Sequence, residues 1–140
     1  MAVWITAGLD DRFHWSNHAS SLLFTTGVAA ALVASALVAW AMRSNRFFSS
    51  VVRIQKDRGH TVIDRGPYRF IRHPGYAGMF VFTLVTPLIL GSDWAFVPAA
   101  ISAAAILLRT MLEDLTLLHE LDGYADYARR VRYRLLPAVW

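Results

Sequence analysis

Two stretches of this sequence carry residues able to do chemistry at a defined spacing. The first reads HTVIDRGPYRFIRHPGY and runs from His60 to Tyr76. The second holds Arg109, Glu113 and Asp114. Pro74 suits the first turn of a helix, where its missing N–H costs nothing, and His73 before it is biased out of helix. His73 and Tyr76 therefore stand at a helix mouth, whose free N–H groups and partial positive charge suit a ligand carboxylate. Arg109 and Glu113 are four residues apart and share a helical face. Tyrosine faces and a carboxylate stabilise a bound cation. An arginine places a carboxylate or a phosphate. Plainer readings stand beside these. His73 can be an N-capping or interface histidine, Tyr68 and Tyr76 can be membrane-interface anchors, and Arg109–Glu113 can be an ion pair beside solvated surface acids.

Other chemistries find no support. The chain has no cysteine, which excludes disulfides, thiolate zinc sites and a cysteine nucleophile. The five histidines are scattered without metal-ligand spacing, so no metal is expected. There is no phosphate-loop motif and no GxSxG.

The elements that must position these residues follow from composition. The chain has 140 residues, roughly one domain. Its apolar fraction of 56% exceeds the ~45–50% of soluble domains, and its charged fraction of 17% falls below their ~25%. A mean hydropathy of +0.38 excludes disorder and argues against an ordinary soluble protein. The net charge of +4 alone would permit nucleic-acid or acidic-membrane contact. The charge pattern decides between them. Eight of the fourteen basic residues lie between Arg43 and Arg72, and five more follow the last apolar block.

An uncharged block from Ala19 to Met42 is long enough, at ~36 Å of helix, to span a bilayer. Two shorter blocks, Ala77 to Leu90 and Ala95 to Leu108, flank a turn at Gly91–Trp94. They read as a transmembrane or re-entrant hairpin. The expected fold is an all-α integral membrane protein. It has one transmembrane helix (19–42), a cytoplasmic loop (43–76), the hairpin (77–108) and a C-terminal segment (109–140). The basic clusters put the loop and the C-terminus in the cytoplasm, and for a bacterial protein the membrane is the inner one. The expected partners are the lipid bilayer and a lipophilic substrate, with no nucleic acid.

Finer readings complete the pass. Gly27, Ala31, Ser35 and Ala39, and again Ala95, Ala99 and Ala103, offer small-residue seams for close helix packing or a homo-oligomer. Thr61-Val62-Ile63 is a short β-prone run between turns, and Gly66-Pro67-Tyr68 is a turn. Gly123 ends or bends the exit helix. Tyr124 and Tyr127 begin an amphipathic stretch whose Arg129, Arg130, Arg132 and Arg134 suit anionic lipid.

Taken together, HTVIDRGPYRFIRHPGYAG, an apolar hairpin and RTMLEDLTLLHELDGYADYARRVRYRLLP resemble the isoprenylcysteine carboxyl methyltransferase family, whose ending phospholipid N-methyltransferases share. The resemblance runs from about Arg53 to Pro137. It implies an integral membrane enzyme that methylates a lipophilic acceptor, most simply a carboxylate, with S-adenosylmethionine. By the same resemblance His60, Thr61, Val62, Ile63, Tyr68, His73, Pro74, Gly75, Tyr76 and Glu113 bind the cofactor, and Arg109 is the substrate-side catalytic residue. Gln55 stands for a cofactor-contacting glutamine, at shorter spacing to His60 than in the eukaryotic enzymes. Asp114 stands where relatives often have a second glutamate. Family members usually carry one or two more helices before the first one here, so N-terminal helices are expected to be lacking. Rival readings are a phospholipid N-methyltransferase, an NADPH-dependent sterol-type reductase with a similar Arg-His-Pro-x-Tyr entry, and a non-catalytic membrane scaffold.

Overall fold

The computed structural model describes residues 1–16, 20–49, 59–137 and 139–140. Among these residues the regular elements are all helical. In chain order they are α1 (Ala2–Phe13), α2 (Ser21–Ser44), a 3₁₀ turn (Gly66–Arg69), α3 (Pro74–Leu90), α4 (Phe96–Glu120) and α5 (Tyr124–Arg130). The chain divides into two compact units, Met1–Ser35 with Gly78–Leu107, and Ala36–Ala77 with Leu108–Trp140.

Helices α2 and α4, of 24 and 25 residues, are long and apolar enough to cross a membrane, and α3 is a shorter apolar helix. Their rise of ~1.5 Å per residue makes the first two ~36–38 Å long. Helix α4 outruns its apolar block because Leu112, Leu115 and Leu118 continue a helical pattern past Leu108. Pro74 opens α3 as its position demands, and Gly91, at φ 63°, closes the helix into the turn before α4.

In the first unit, α1 is an element that the sequence reading did not anticipate. Val3 and Ala7 pack against Ala95 and Ala99 of α4, with Leu90 beside them. The alanine seam of α4 is therefore occupied within the chain. In α2 the four-residue seam holds only in part. Gly27, Ala31, Ala34 and Ala41 are buried, whereas Ser35 and Ala39 are exposed. A spacing of four advances 400° and drifts ~40° per step around the helix, so a straight packing face alternates threes and fours. Gly27 marks a close approach to α3, since an added Cβ would lie 3.0 Å from the Ile89 side chain.

Asp10 ties α1 to the α3–α4 turn. Its buried carboxylate accepts from the Ser16 backbone N–H and Ser16 Oγ, each at 2.7 Å, and from the Ser92 hydroxyl. Ser92 Oγ in turn accepts from the Ala95 N–H at 3.1 Å, and Ser16 Oγ from the Asp93 N–H at 3.1 Å. One carboxylate thus organises the hydroxyls that satisfy the donors opening α4.

In the second unit, Leu121, Tyr124, Tyr127 and Val131 form a core under α5, with Val62, Leu117, Leu118 and Ala128 packed on it. Gly123, at φ 80°, makes the break between α4 and α5. Among the described residues no strand pairs with Thr61-Val62-Ile63, which is irregular, its Val62 drawn into this core instead. β-Propensity is realised only where a neighbouring strand supplies the ladder.

We expect Asp10→Ala to lower the thermal unfolding midpoint of the detergent-purified chain, because Ser92 and the Ser16 N–H lose a buried acceptor. Asp11→Ala, at the exposed neighbouring position, should leave the midpoint in place. Equal midpoints for the two variants would remove Asp10 from its organising role.

Candidate active site

The segment Ile71–Gly75 is buried throughout. Two backbone bonds fix it to the C-terminal tail: Arg72 N–H donates to the Tyr133 carbonyl and His73 N–H to the Arg134 carbonyl, each at 2.9 Å. Side chains do the rest. The carboxylate of Asp114, fully buried on α4, accepts from His73 Nε2 at 3.1 Å, Tyr124 Oη at 2.8 Å and Arg134 Nε at 2.9 Å. Arg72 Nη2 lies 3.3 Å from the same group. A carboxylate only accepts, so His73 presents Nε2–H to it. Burial and then the Asp114 charge hold the Tyr124 phenol well above its ordinary value, so it remains a donor.

The plainer reading of a solvated surface acid fails for Asp114, which is buried against three hydrogen-bond donors and the Arg72 guanidinium. Arg134 turns inward to Asp114 and stacks at 5.2 Å over Trp140, away from the lipid-facing role expected of it.

One helical turn along α3 from His73, Tyr76 meets the neighbouring acid. Its phenol donates to Glu113 Oε2 at 2.7 Å and accepts from Arg109 Nε at 2.7 Å. The Arg109 guanidinium carbon also lies 5.8 Å from the Tyr76 ring centre. Arg109, Tyr76 and Glu113 therefore form one hydrogen-bonded chain. Arg109 is exposed, whereas Tyr76 and Glu113 are partly buried.

The remaining expected residues fall into two groups. His60 and Thr61 keep accessible surface. The His60 ring lies against Phe47, with centroids 4.4 Å apart, and burial lowers its basicity against the opposing pull of Glu113, so it is neutral near pH 7. Ile63 is likewise partly exposed. Tyr68, Pro74 and Gly75 are buried, and Val62 is packed into the α5 core. The Tyr68 hydroxyl accepts from Asn45 Nδ2 at 3.3 Å, and burial raises its pKa above the ordinary phenol value. Gly75 sits under Phe48, where an added Cβ would come within 2.6 Å of the ring. Gln55 lies outside the described residues.

The 3₁₀ turn is held from both sides. Tyr127 Oη donates to the Tyr68 carbonyl at 2.8 Å. Gly66, at φ 60°, presses on the end of α2, where a Cβ would fall 2.3 Å from Ser44 Oγ.

Sequence reasoning missed Arg72, Tyr124, Tyr127 and Arg134 as parts of this site's support. A signal for Asp114 was available. Ala95, Ala99, Ala103, Ile106, Thr110, Asp114, Leu117 and Leu121 follow each other in steps of four with an occasional three and form one buried or half-buried stripe along α4 and its two flanking residues. Extending the alanine seam would have placed the acid inside.

Asp114→Ala should destabilise the chain by about 3–5 kcal/mol, since it strands two buried or half-buried arginines and His73. Tyr127→Phe, which deletes one buried hydroxyl bond, should cost about 1 kcal/mol. Denaturant titration in detergent micelles checks both, and a smaller loss for Asp114→Ala than for Tyr127→Phe would contradict this ranking.

Comparison with known proteins fits the geometry. The model of the isoprenylcysteine carboxyl methyltransferase (ICMT) family matches residues 27–119. The protein-S-isoprenylcysteine O-methyltransferase of Mus musculus is 28% identical over 134 residues, covering 94% of this chain and 47% of that protein. The enzyme of the same name from Rattus norvegicus is 33% identical over 86 residues, 60% of this chain and 30% of that one. A solved structure of the eukaryotic intramembrane Ras methyltransferase ICMT aligns with a TM-score of 0.77 at 22% identity, covering 99% of this chain and 50% of that one. The chain thus spans about half the length of the mouse relative and shares its fold with the matched half of the solved structure. Since the family model takes in α3, most of α2 and α4, and all of Arg109, Tyr76 and Glu113, this chain belongs to the isoprenylcysteine carboxyl methyltransferase family.

Proposed function

We propose that this chain is a membrane methyltransferase that uses S-adenosylmethionine to convert a lipophilic carboxylate into its methyl ester. The observation that carries the reading is the hydrogen-bonded chain Arg109–Tyr76–Glu113. In this reading α2 crosses the membrane, α3 and α4 form a hairpin within it, and the loop and tail face the cytoplasm, where the basic residues lie. The acceptor class follows from the relatives, whose names specify an isoprenylcysteine: a carboxylate joined to a long apolar group.

The residues present fit the proposed cofactor by their chemistry. S-Adenosylmethionine supplies, when bound, a methyl group on a positively charged sulfur. Glu113 offers a carboxylate and Tyr76 a ring face, both of which favour a cation. His60 is neutral and adds no opposing charge. His60, Thr61 and Ile63 keep accessible surface in the loop before the 3₁₀ turn.

The residues then divide the work. A carboxylate acceptor is already a nucleophile and needs no general base. It needs a cation to hold it in line, and the Arg109 guanidinium matches the shape of a carboxylate. Tyr76 couples the two ends, since its oxygen accepts from Arg109 and its proton goes to Glu113. Catalysis on this plan is alignment and exclusion of water, with no proton removed from the acceptor. A phospholipid amine would first have to lose a proton, and Arg109 would not help it do so.

Calorimetry on the detergent-purified full chain, with NADPH as a parallel ligand, tests the reading. Glu113→Gln and Tyr76→Ala should each weaken S-adenosylmethionine binding by roughly tenfold. Arg109→Ala should bind it like the parent, yet lose about 10²-fold in turnover of a farnesylated thioether acid. Parent-like cofactor binding by all three variants would reject the site. Binding of NADPH in place of S-adenosylmethionine would reject the reaction.

A further inference from the structure

Apart from the residues assigned to cofactor and acceptor, one concavity gathers an excess of positive charge. It has a volume of about 450 Å³ and is lined by Asp64, Arg65, Arg69, Arg130 and Val131. Its walls come from two places in the chain, the 3₁₀ turn and the end of α5, which the Tyr127–Tyr68 carbonyl bond holds together. The opening is therefore built on fixed elements at its base.

Three guanidinium groups face one carboxylate there. Asp64 Oδ2 takes Arg130 Nη2 at 3.2 Å. Arg65 is positioned by its Nε bond to the Ser44 carbonyl at 3.2 Å. The Arg69 side chain has no hydrogen bond or ion pair among the described residues. The lining keeps an excess of two positive charges. Like charges gathered around one cleft repel each other, and a bound anion relieves that repulsion. The guanidinium fork matches the oxygens of a tetrahedral oxyanion, and arginine is the usual residue where phosphate is recognised.

We propose that this concavity binds a phosphate ester, with Arg69 and Arg130 as its principal ligands and Arg65 as a positioned third. None of the residues assigned to cofactor or acceptor lines it, so the proposal stands apart from the methyl-transfer reading. Asp64 limits affinity by competing for Arg130. A phosphate bound there would bridge the turn that carries Tyr68 to α5. The phosphate can belong to an anionic lipid headgroup or to a soluble ester, and the experiment separates them.

The test uses the full chain in two arms. In one, nanodiscs of phosphatidylcholine with and without phosphatidylglycerol are followed by native mass spectrometry for retained lipid. In the other, inorganic phosphate and glycerol 3-phosphate are titrated into detergent-purified protein by calorimetry. Retention of phosphatidylglycerol alone identifies a headgroup site, and binding of the soluble anions identifies a general phosphate site. In whichever arm binds, the double variant Arg69→Gln/Arg130→Gln should weaken the interaction roughly tenfold or more. Asp64→Asn should tighten it, because Arg130 is released. The S-adenosylmethionine affinity of the double variant should equal the parent's, which also shows that it is folded. Binding in neither arm overturns the proposal. So does parent-like binding by both variants.

Discussion

The buried carboxylate of Asp114 is the point on which the second unit turns. Removing a carboxylate from water costs several kcal/mol, and that cost is offset only where close donors surround it. Here the donors come from three different parts of the chain: Arg72 and His73 before α3, Tyr124 at the start of α5, and Arg134 in the tail. None of these segments could shift alone without leaving the acid short of a partner. The two backbone bonds from Arg72 and His73 to Tyr133 and Arg134 add a second constraint of the same sense. Tail and loop are thereby held in one register.

The register reaches the candidate site by helix geometry. Three residues along α3 from His73 bring Tyr76 up by ~4.5 Å on the same face. One residue back from Asp114 on α4 is Glu113, and one turn further is Arg109. The contacts observed follow that order: His73 with Asp114, then Tyr76 with Glu113 and with Arg109. Two helices running in opposite directions produce this ladder once its first rung is set. The polar chain that would meet a ligand is thus placed by a carboxylate that would not touch one.

Much of this was legible in the chain, because the strongest signals are local. Pro74 and the glycines at 66, 91 and 123 mark where helices begin and end, proline by fixing its own φ and the glycines by adopting positive φ without a Cβ clash. A long apolar run announces α2, whereas the shorter block Ala95 to Leu108 covers only the first half of α4. Helix α1 escaped notice because its twelve residues mix polar and apolar types, and it shows its purpose only against Ala95 and Ala99. The β-prone Thr61-Val62-Ile63 stayed open for the same reason, since whether it forms a strand depends on a partner elsewhere. Asp114 was hardest to read. Its neighbour Glu113 has the same chemistry, and only a stripe followed along the whole of α4 separates the buried acid from the half-buried one.

The Arg-His-Pro-Gly-Tyr segment illustrates how one short motif divides between holding and meeting. Arg72 and His73 reach Asp114, Pro74 starts the helix, and Gly75 leaves room for the Phe48 ring. Tyr76 alone in the segment joins the Arg109–Glu113 chain. A methyl group added at Gly75 would collide with Phe48, whose neighbour Phe47 packs on the His60 ring, so the disturbance would pass to the opposite end of the loop. The spacing of such a motif is strict because every member but one is occupied in fixing where the last one stands. A residue list drawn from the motif alone cannot distinguish the two kinds. The distinction lies in burial and in hydrogen-bond partners, and both are properties of the folded chain.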